Sequence, residues 1–235
     1  MNHYVIIYAM SEVLVVPDIH GRDFWKEPCH EWQGQIIFLG DYHDPYGKAV
    51  EEPDIEESFE NLKELVSFVE TRRKDNPESI ICLEGNHDGA YYTGKLKCRF
   101  DYDHAEEVLN LIKRLNPVIT YKIGNILFSH AGVTQNWMNA HKLTIDDLSK
   151  LTSNDSDILE EVSFSRGGNY RHGSCTWNDL YDFEYDEHPK GYYQIFGHTW
   201  EGRTSPVIED DFAMLDCKKC FILNTETKKL KEYGI

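Results

Sequence analysis

Short unbroken runs of β-branched and aliphatic residues alternate with amphipathic stretches along the first half of the chain. Val13 to Val16 ends at Pro17-Asp18, Gln35 to Leu39 at Gly40-Asp41, and Ser79 to Leu83 at Glu84-Gly85-Asn86-His87-Asp88. Runs of this kind predict buried strands that leave a sheet where the polar residues begin. Between the second and third, Ile55, Phe59, Leu62, Leu65, Val66 and Val69 recur at helical spacing with charges on the other face, so Ile55 to Lys74 predicts a crossover helix. His104 to Leu115 predicts another, closed by Asn116-Pro117, and Tyr121 to Ser129 predicts a hairpin turning at Gly124-Asn125. Thr134 to Ser149 is polar and helix-like, whereas Ser163 to Pro189 is loop-rich and without period. Tyr192 to Phe196 returns to strand, and Phe212 to Leu215, Phe221 to Leu223 and Lys228 to Lys231 are expected as antiparallel strands. Alternating strands and helices imply an α/β fold with a mostly parallel sheet, in which ligands sit beyond the carboxyl ends of the strands.

Composition narrows this picture. The chain has 235 residues, 40% hydrophobic and 28% charged, enough for a sizeable core without staples. No repeat, linker or low-complexity tract divides it, so one domain over residues 10–235 is expected, with 1–9 an N-terminal extension and Met10 a plausible start. The formal charge of −17 repels phosphodiester backbones, which disfavours a nucleic-acid partner unless local divalent ions reverse the sign. Tyr4 to Met10 is too short to span a bilayer and no basic residue precedes it, so no membrane partner is expected. Six scattered cysteines read as reduced thiols of a cytoplasmic protein. Cys217-Lys-Lys-Cys220 has half of a zinc-ribbon spacing but no second pair, and is read as a hairpin turn.

The chemistry lies where strands end. Five times a predicted strand delivers Asp, His or Asn into a glycine-containing turn: Asp18 with His20, Asp41 with Asp44, Asn86 with His87, then His130, then His198. One such residue is usually a cap or a hydrogen-bonded loop residue. Five in succession point to one site. Carboxylates, imidazoles and an amide together suit a pair of divalent ions such as Mn²⁺, Fe²⁺ or Zn²⁺.

These residues also carry a resemblance. Pro17-Asp18-Ile19-His20-Gly21, Gly40-Asp41-Tyr42-His43-Asp44, Gly85-Asn86-His87-Asp88, His130-Ala131-Gly132 and Gly197-His198 resemble, in order, the five motifs of the calcineurin-like metallophosphoesterases. The resemblance implies the αββα sandwich of that family, two mixed β-sheets flanked by helices, with the site on the loops at one end. It implies that Asp18 and His20 bind a first metal, that Asp41 bridges two, and that Asn86, His130 and His198 complete the second. A hydroxide shared by the two ions would then attack phosphorus in line, with His87 as general acid and Asp44 holding its ring. His43 and His104 match no ligand of the family and are expected to be structural.

Gly197-His198-Thr199-Trp200 lacks the second histidine of many phosphodiesterases and nucleases, and Cys175-Thr176-Trp177-Asn178-Asp179 resembles the Trp-Ser-Asp stretch of phosphoprotein phosphatases. The branch implied is therefore the serine/threonine phosphatase-like one of bacterial and phage type. Its second motif ordinarily continues with a phosphate-gripping arginine, where this chain has Pro45. A phosphate dianion still needs cationic donors. Arg166, beside Gly167-Gly168, is the preferred substitute, then Arg22, with Arg99 behind both. The expected activity is hydrolysis of a phosphomonoester, whether phosphoprotein, nucleotide or small ester, with manganese the expected metal. The alternatives are a dinucleoside polyphosphate (Ap4A-type) hydrolase and a non-catalytic phospho-ligand binding module.

Overall fold

Alternation within the strands decides the layering. Val13, Val15, Ile37, Leu39, Phe221 and Leu223 are buried together with Ile126, Phe128, Ile195 and Ala213, while Leu14, Val16, Ile36 and Phe38 join Leu62, Leu65, Val66, Leu111 and Ile112 in a separate cluster. Successive residues of one strand thus face two different cores, as a period of two requires when both faces of a sheet are covered. The structure, a computed structural model, describes residues 11–46, 52–95 and 97–234. The expected extension 1–9 and start at Met10 lie outside the described residues.

Ten strands are seen among the described residues: β1 (Glu12–Val16), β2 (Ile36–Phe38), β3 (Ile80–Cys82), β4 (Tyr121–Ile123), β5 (Ile126–Phe128), β6 (Tyr193–Phe196), β7 (Val207–Ile208), β8 (Phe212–Met214), β9 (Phe221–Asn224) and β10 (Leu230–Glu232). They form two mixed five-stranded sheets, ordered β10-β9-β1-β2-β3 and β4-β5-β6-β8-β7. The first is parallel along β1-β2-β3 and the second along β5-β6-β8. The chain also forms helices α1 (Lys26–Glu31), α2 (Ile55–Arg73), α3 (Asn86–Thr93), α4 (Ala105–Leu115), α5 (Gln135–Ala140), α6 (Ile145–Leu148), α7 (Ser156–Leu159) and α8 (Leu180–Glu184). Helices α2 and α4 cover the first sheet and α5 to α7 the second, so the layers read helix, sheet, sheet, helix.

Helix α2 begins where the Asp54 carboxylate accepts the Glu57 N–H at 2.9 Å, and its last turn carries Arg72 and Arg73, which complement the helix dipole and donate to the carbonyls of Trp32, just after α1, and Ile80, at the start of β3. Two expectations are corrected. Phe212–Met214 does not belong to an antiparallel ribbon with β9: it pairs parallel to β6, and only the short β7 runs antiparallel to it. The turn expected at Gly85-Asn86-His87 is in fact the start of α3, capped at Gly85 and locked by the Asp88 carboxylate. The helix-like stretch Thr134 to Ser149 divides into α5 and α6, and the loop-rich stretch contains α8. Among the described residues no helix is long and apolar enough to cross a membrane.

Candidate functional site

Because β1, β2 and β3 run parallel, as do β5, β6 and β8, their carboxyl ends meet on one rim, and the polar residues that follow them converge there. One nitrogen or oxygen atom from each of Asp18, Asp41, His130 and His198 lies within 4.8 Å of the others, and the same holds for His20, Asp41 and His87. All are buried. Asp41 belongs to both groups. Asn86 joins the first, its Oδ1 at 2.9 Å from His130 Nε2, and His198 Nδ1 lies 3.0 Å from that same nitrogen.

Local backbone accounts for this convergence. His20, Asp41, Asp44 and His198 all have positive φ, at 47°, 52°, 63° and 71°. Non-glycine residues rarely adopt this region, and each costs about 1–3 kcal/mol when held there. Their loops are over-determined by hydrogen bonds. Asp88 accepts from the N–H groups of Gly85 and Asp41, both at 2.8 Å, and of Tyr42 at 3.1 Å, so β2 and α3 are stitched together at the site. A Cβ on Gly85 would lie 2.1 Å from Asp41 Oδ1, and one on Gly197 2.0 Å from Asp18 Oδ1. These two positions must be bare for the carboxylates to sit where they do.

The donor set fits divalent cations. His130 Nδ1 lies 2.8 Å from the Leu39 carbonyl and His20 Nδ1 3.2 Å from the His43 carbonyl, which assigns the N–H to Nδ1 in both. Their Nε2 lone pairs then face Asp41 Oδ2, each at 3.5 Å. Lone pairs of imidazole, amide and carboxylate crowded at this range repel unless positive charge lies between them. Burial disfavours an imidazolium at His130, yet Asp41 and Asp18 raise it to about 9, a measure of how strongly the pocket draws a cation. At His20 and His198 burial prevails and lowers both well below the ordinary histidine value, keeping them neutral, as ligands must be. Burial pushes Asp18 up to about 6.

His87, a member of the second group, has its ring edge-on to that of His20 at 4.9 Å. Its backbone N–H donates to Asp41 Oδ1 at 2.9 Å, and its ring Nδ1 lies 3.2 Å from Asp44 Oδ2. Burial opposes charge on this ring, but Asp41 and the Asp44 hydrogen bond hold it well above the ordinary value. Tyr91, one helical turn after His87, donates its hydroxyl to the other oxygen of Asp44 at 2.6 Å and accepts the Asp101 N–H at 2.9 Å. That role was missed in the sequence, although the spacing of four residues puts both rings on one face of α3. His43 and His104 are turned away, both onto Asp101.

A second residue was missed. β8 runs parallel to β6 with Met214 opposite Phe196, and Leu215 N–H donates to the Phe196 carbonyl at 2.8 Å. Two residues after Met214, Asp216 arrives beside Asp18 as the acid of a sixth strand end. It is buried, and among the described residues neither its Oδ2 nor Arg22 Nη2 has a hydrogen-bond partner. Burial and the Asp18 carboxylate push Asp216 well above the usual range.

The three arginines differ in placement. Arg22 is buried, with Nε on Glu52 and Nη1 3.4 Å from the carbonyls of Asp18 and Ile19. Arg166 hydrogen-bonds to the His198 carbonyl and sits 3.4 Å from Asp179. Arg99 is half-exposed and stacks 3.6 Å from the centre of the Tyr46 ring. Its Nε and Nη2 donate to the Asp44 carbonyl, and Nη2 reaches within 3.4 Å of the His20 ring. Motif two lacks its arginine at Pro45, and the guanidinium of Arg99 comes to the same loop from elsewhere in the chain. Trp177 meets His198 edge to face at 5.9 Å.

Strand-end donors converging on the rim of a two-sheet sandwich form a candidate metal centre. The calcineurin-like phosphoesterase family matches residues 12–201; the chain belongs to that family and is a metal-dependent phosphoester hydrolase. Among curated proteins, none matches it by sequence. Of solved structures, the cold-active protein-tyrosine phosphatase of a psychrophilic Shewanella species aligns with a TM-score of 0.61 at 17% identity, covering 94% of this chain and 80% of that one. A Saccharomyces cerevisiae protein serine/threonine phosphatase described as similar to human phosphatase PP5 aligns with a TM-score of 0.56 at 11% identity, covering 91% and 72%. At these identities the likeness is one of fold.

Proposed function

We propose that the protein is a phosphatase that hydrolyses phosphomonoesters at a dinuclear centre, in a single catalytic unit. The observation that carries this reading is the sharing of Asp41 between two clusters of potential ligands, Asp18, His130 and His198 on one side and His20 with His87 on the other, of which His87 is turned by its Nδ1 onto Asp44 and is read as the proton donor. Asp18 and His20 would hold one ion, Asn86, His130 and His198 the other, and Asp41 both. When bound, such ions supply a water activated at neutral pH and charge neutralisation for the phosphoryl oxygens.

The chain's own residues then do the following. His87, its Nδ1 hydrogen directed to Asp44, presents Nε2 to the leaving oxygen and delivers the proton that the alkoxide or phenoxide needs. Asp44 fixes the ring and offsets the imidazolium charge, and Tyr91 fixes Asp44. Arg166 holds the loop of His198, Arg22 holds the loop of Asp18 and His20, and both would present substrate oxygens with cationic charge through these loops. Arg99 is the guanidinium at the open rim and would meet the phosphoryl group directly. Manganese is the ion we would supply. The six cysteines are free thiols, five of them buried, which supports a reducing, cytoplasmic setting.

The test is an activity panel in Mn²⁺ with an aryl monoester, an aryl diester, a phosphopeptide and a diadenosine polyphosphate. Turnover of the monoesters is expected. Turnover of the diadenosine polyphosphate alone would select the Ap4A-type reading, and binding without turnover of any of the four would select the non-catalytic module.

A further inference from the structure

On the outer side of the His198 loop three aromatic rings are left uncovered: Phe164 is 58% exposed, Tyr181 62% and Tyr185 78%. Helix α8 turns Leu180 and Phe183 inward, so Tyr181 and Tyr185 serve no core; their rings lie 4.9 Å apart on its outer face. Surfaces of this kind, apolar, aromatic and rimmed by charge, mark binding sites. The patch is rigidly tied to the metal ligands. Ser165, next to Phe164, donates its N–H at 3.0 Å and its hydroxyl at 2.6 Å to the Asp182 carboxylate of α8. The Leu180 N–H donates to Thr199 Oγ1 at 3.2 Å, and Arg166 bonds to the carbonyl of His198 itself.

The charge around the rings selects their occupant. From residue 179 to 187 the chain reads Asp-Leu-Tyr-Asp-Phe-Glu-Tyr-Asp-Glu, five carboxylates with no lysine or arginine, and Glu184 and Glu187 are exposed beside the tyrosines. Asp179, Asp182 and Asp186 are already engaged by Arg166, Ser165 and His172. Lysine or arginine side chains laid over the faces of Tyr181 and Tyr185 would meet Glu184 and Glu187 with their charged ends, combining cation–π contact with ion pairing. The phosphates of a nucleotide would be repelled there.

Resting on the phosphatase reading, we propose that Phe164, Tyr181 and Tyr185 form a docking surface for a basic segment of a polypeptide substrate, which seats its phosphorylated side chain at the neighbouring dinuclear site.

The test compares three substrates in Mn²⁺: a phosphoserine peptide flanked by three lysines or arginines, the same peptide flanked by alanines, and a small aryl phosphate. The enzymes are the wild-type protein and the Tyr181→Ala/Tyr185→Ala double variant, which alters only exposed side chains. Wild type should favour the basic peptide by about tenfold in kcat/KM, the order expected of two exposed cation–π pairs with ion pairing. The preference should fall with added salt and drop to about threefold or less in the double variant, which keeps only the exposed ion pairs of Glu184 and Glu187, with aryl phosphate turnover unchanged. Equal kcat/KM for the two peptides in wild type, or a preference that survives undiminished in the double variant, overturns the docking surface. So does a change in sedimentation of the double variant without a change in peptide preference, which would make the face a contact between two copies. Failure of wild type to hydrolyse the aryl phosphate would instead strike at the phosphatase reading.

Discussion

Substituting Gly197 by alanine perturbs the metal centre without touching a ligand. The added Cβ would lie 2.0 Å from Asp18 Oδ1, whereas ordinary contact begins near 3.4 Å, so the carboxylate or its loop must give way by about 1.4 Å. Asp18 is not free to rotate. Both of its oxygens accept the His198 N–H at 3.0 Å, and Oδ2 faces His130 Nε2 at 3.9 Å. Moving it therefore misplaces a ligand by more than an ångström and releases the backbone that sets His198. Loss of an orienting contact alone costs about 10–100-fold in metal affinity. Displacement of the ligand itself should reach the upper end, about 100-fold or about 2.8 kcal/mol. Isothermal titration of Mn²⁺ into metal-stripped protein measures this directly, with circular dichroism confirming the fold. Gly191→Ala, where a Cβ meets nothing within 4 Å but φ of +85° strains an alanine, shows what backbone strain remote from the site does to the isotherm, which should stay at the wild-type value. Wild-type affinity in a folded Gly197→Ala protein would refute the placement of Asp18 as a ligand.

Asp41→Asn should abolish activity and reduce bound metal at both positions, whereas His87→Asn should lower turnover and retain both ions; elemental analysis separates them, and a metal-free His87→Asn protein would show the division of roles to be mistaken. Asp216→Asn should weaken Mn²⁺ binding by about tenfold at least, as expected of a carboxylate beside the ligands, and an unchanged isotherm would make Asp216 a purely structural acid. In metal-free protein His130 is raised from 6.5 to about 9 by Asp41 and Asp18, so its contribution is fully present below pH 6.5 and lost as pH rises through 9. Urea melts in chelator should show stability falling by up to about 3 kcal/mol between those limits; a flat or rising profile counts against the arrangement.

The five motifs that converge on the candidate site were legible because each marks a place where a buried apolar run stops at acid, amide or imidazole. Apolar period and flanking polarity locate strand ends whatever the sheet order. What period cannot report is direction. Phe212–Met214 reads the same whether parallel or antiparallel, and the antiparallel reading sent Asp216 to the wrong end of the sheet, so the acid of a sixth strand end went unnoticed. Helix α3 was hidden for a related reason. Its apolar face is sparse because Asn86, His87, Asp88 and Tyr91 are buried for polar contacts. Arg99 follows no motif at all; what places it is the stacking on Tyr46, a contact between loops that spacing along the chain does not encode.

The strained geometry of the site follows from the same constraint that made it readable. A parallel strand ends by pointing its last side chain away from its neighbours, yet a dinuclear site needs side chains from five strand ends to bend inward to within a few ångströms. Positive φ at His20, Asp41 and His198 turns each chain sharply enough to do this. At about 1–3 kcal/mol per residue, the strain is comparable to a large part of a domain's net stability. The Asp88 carboxylate, with three backbone N–H donors, offsets it where β2 meets α3, and the Asp18 carboxylate does the same for His198. Acidic residues in this fold thus serve two purposes: Asp18 and Asp41 supply the oxygens proposed to face the cations, while Asp88, and Asp18 through the His198 N–H, hold the backbone in the shape that lets them do so.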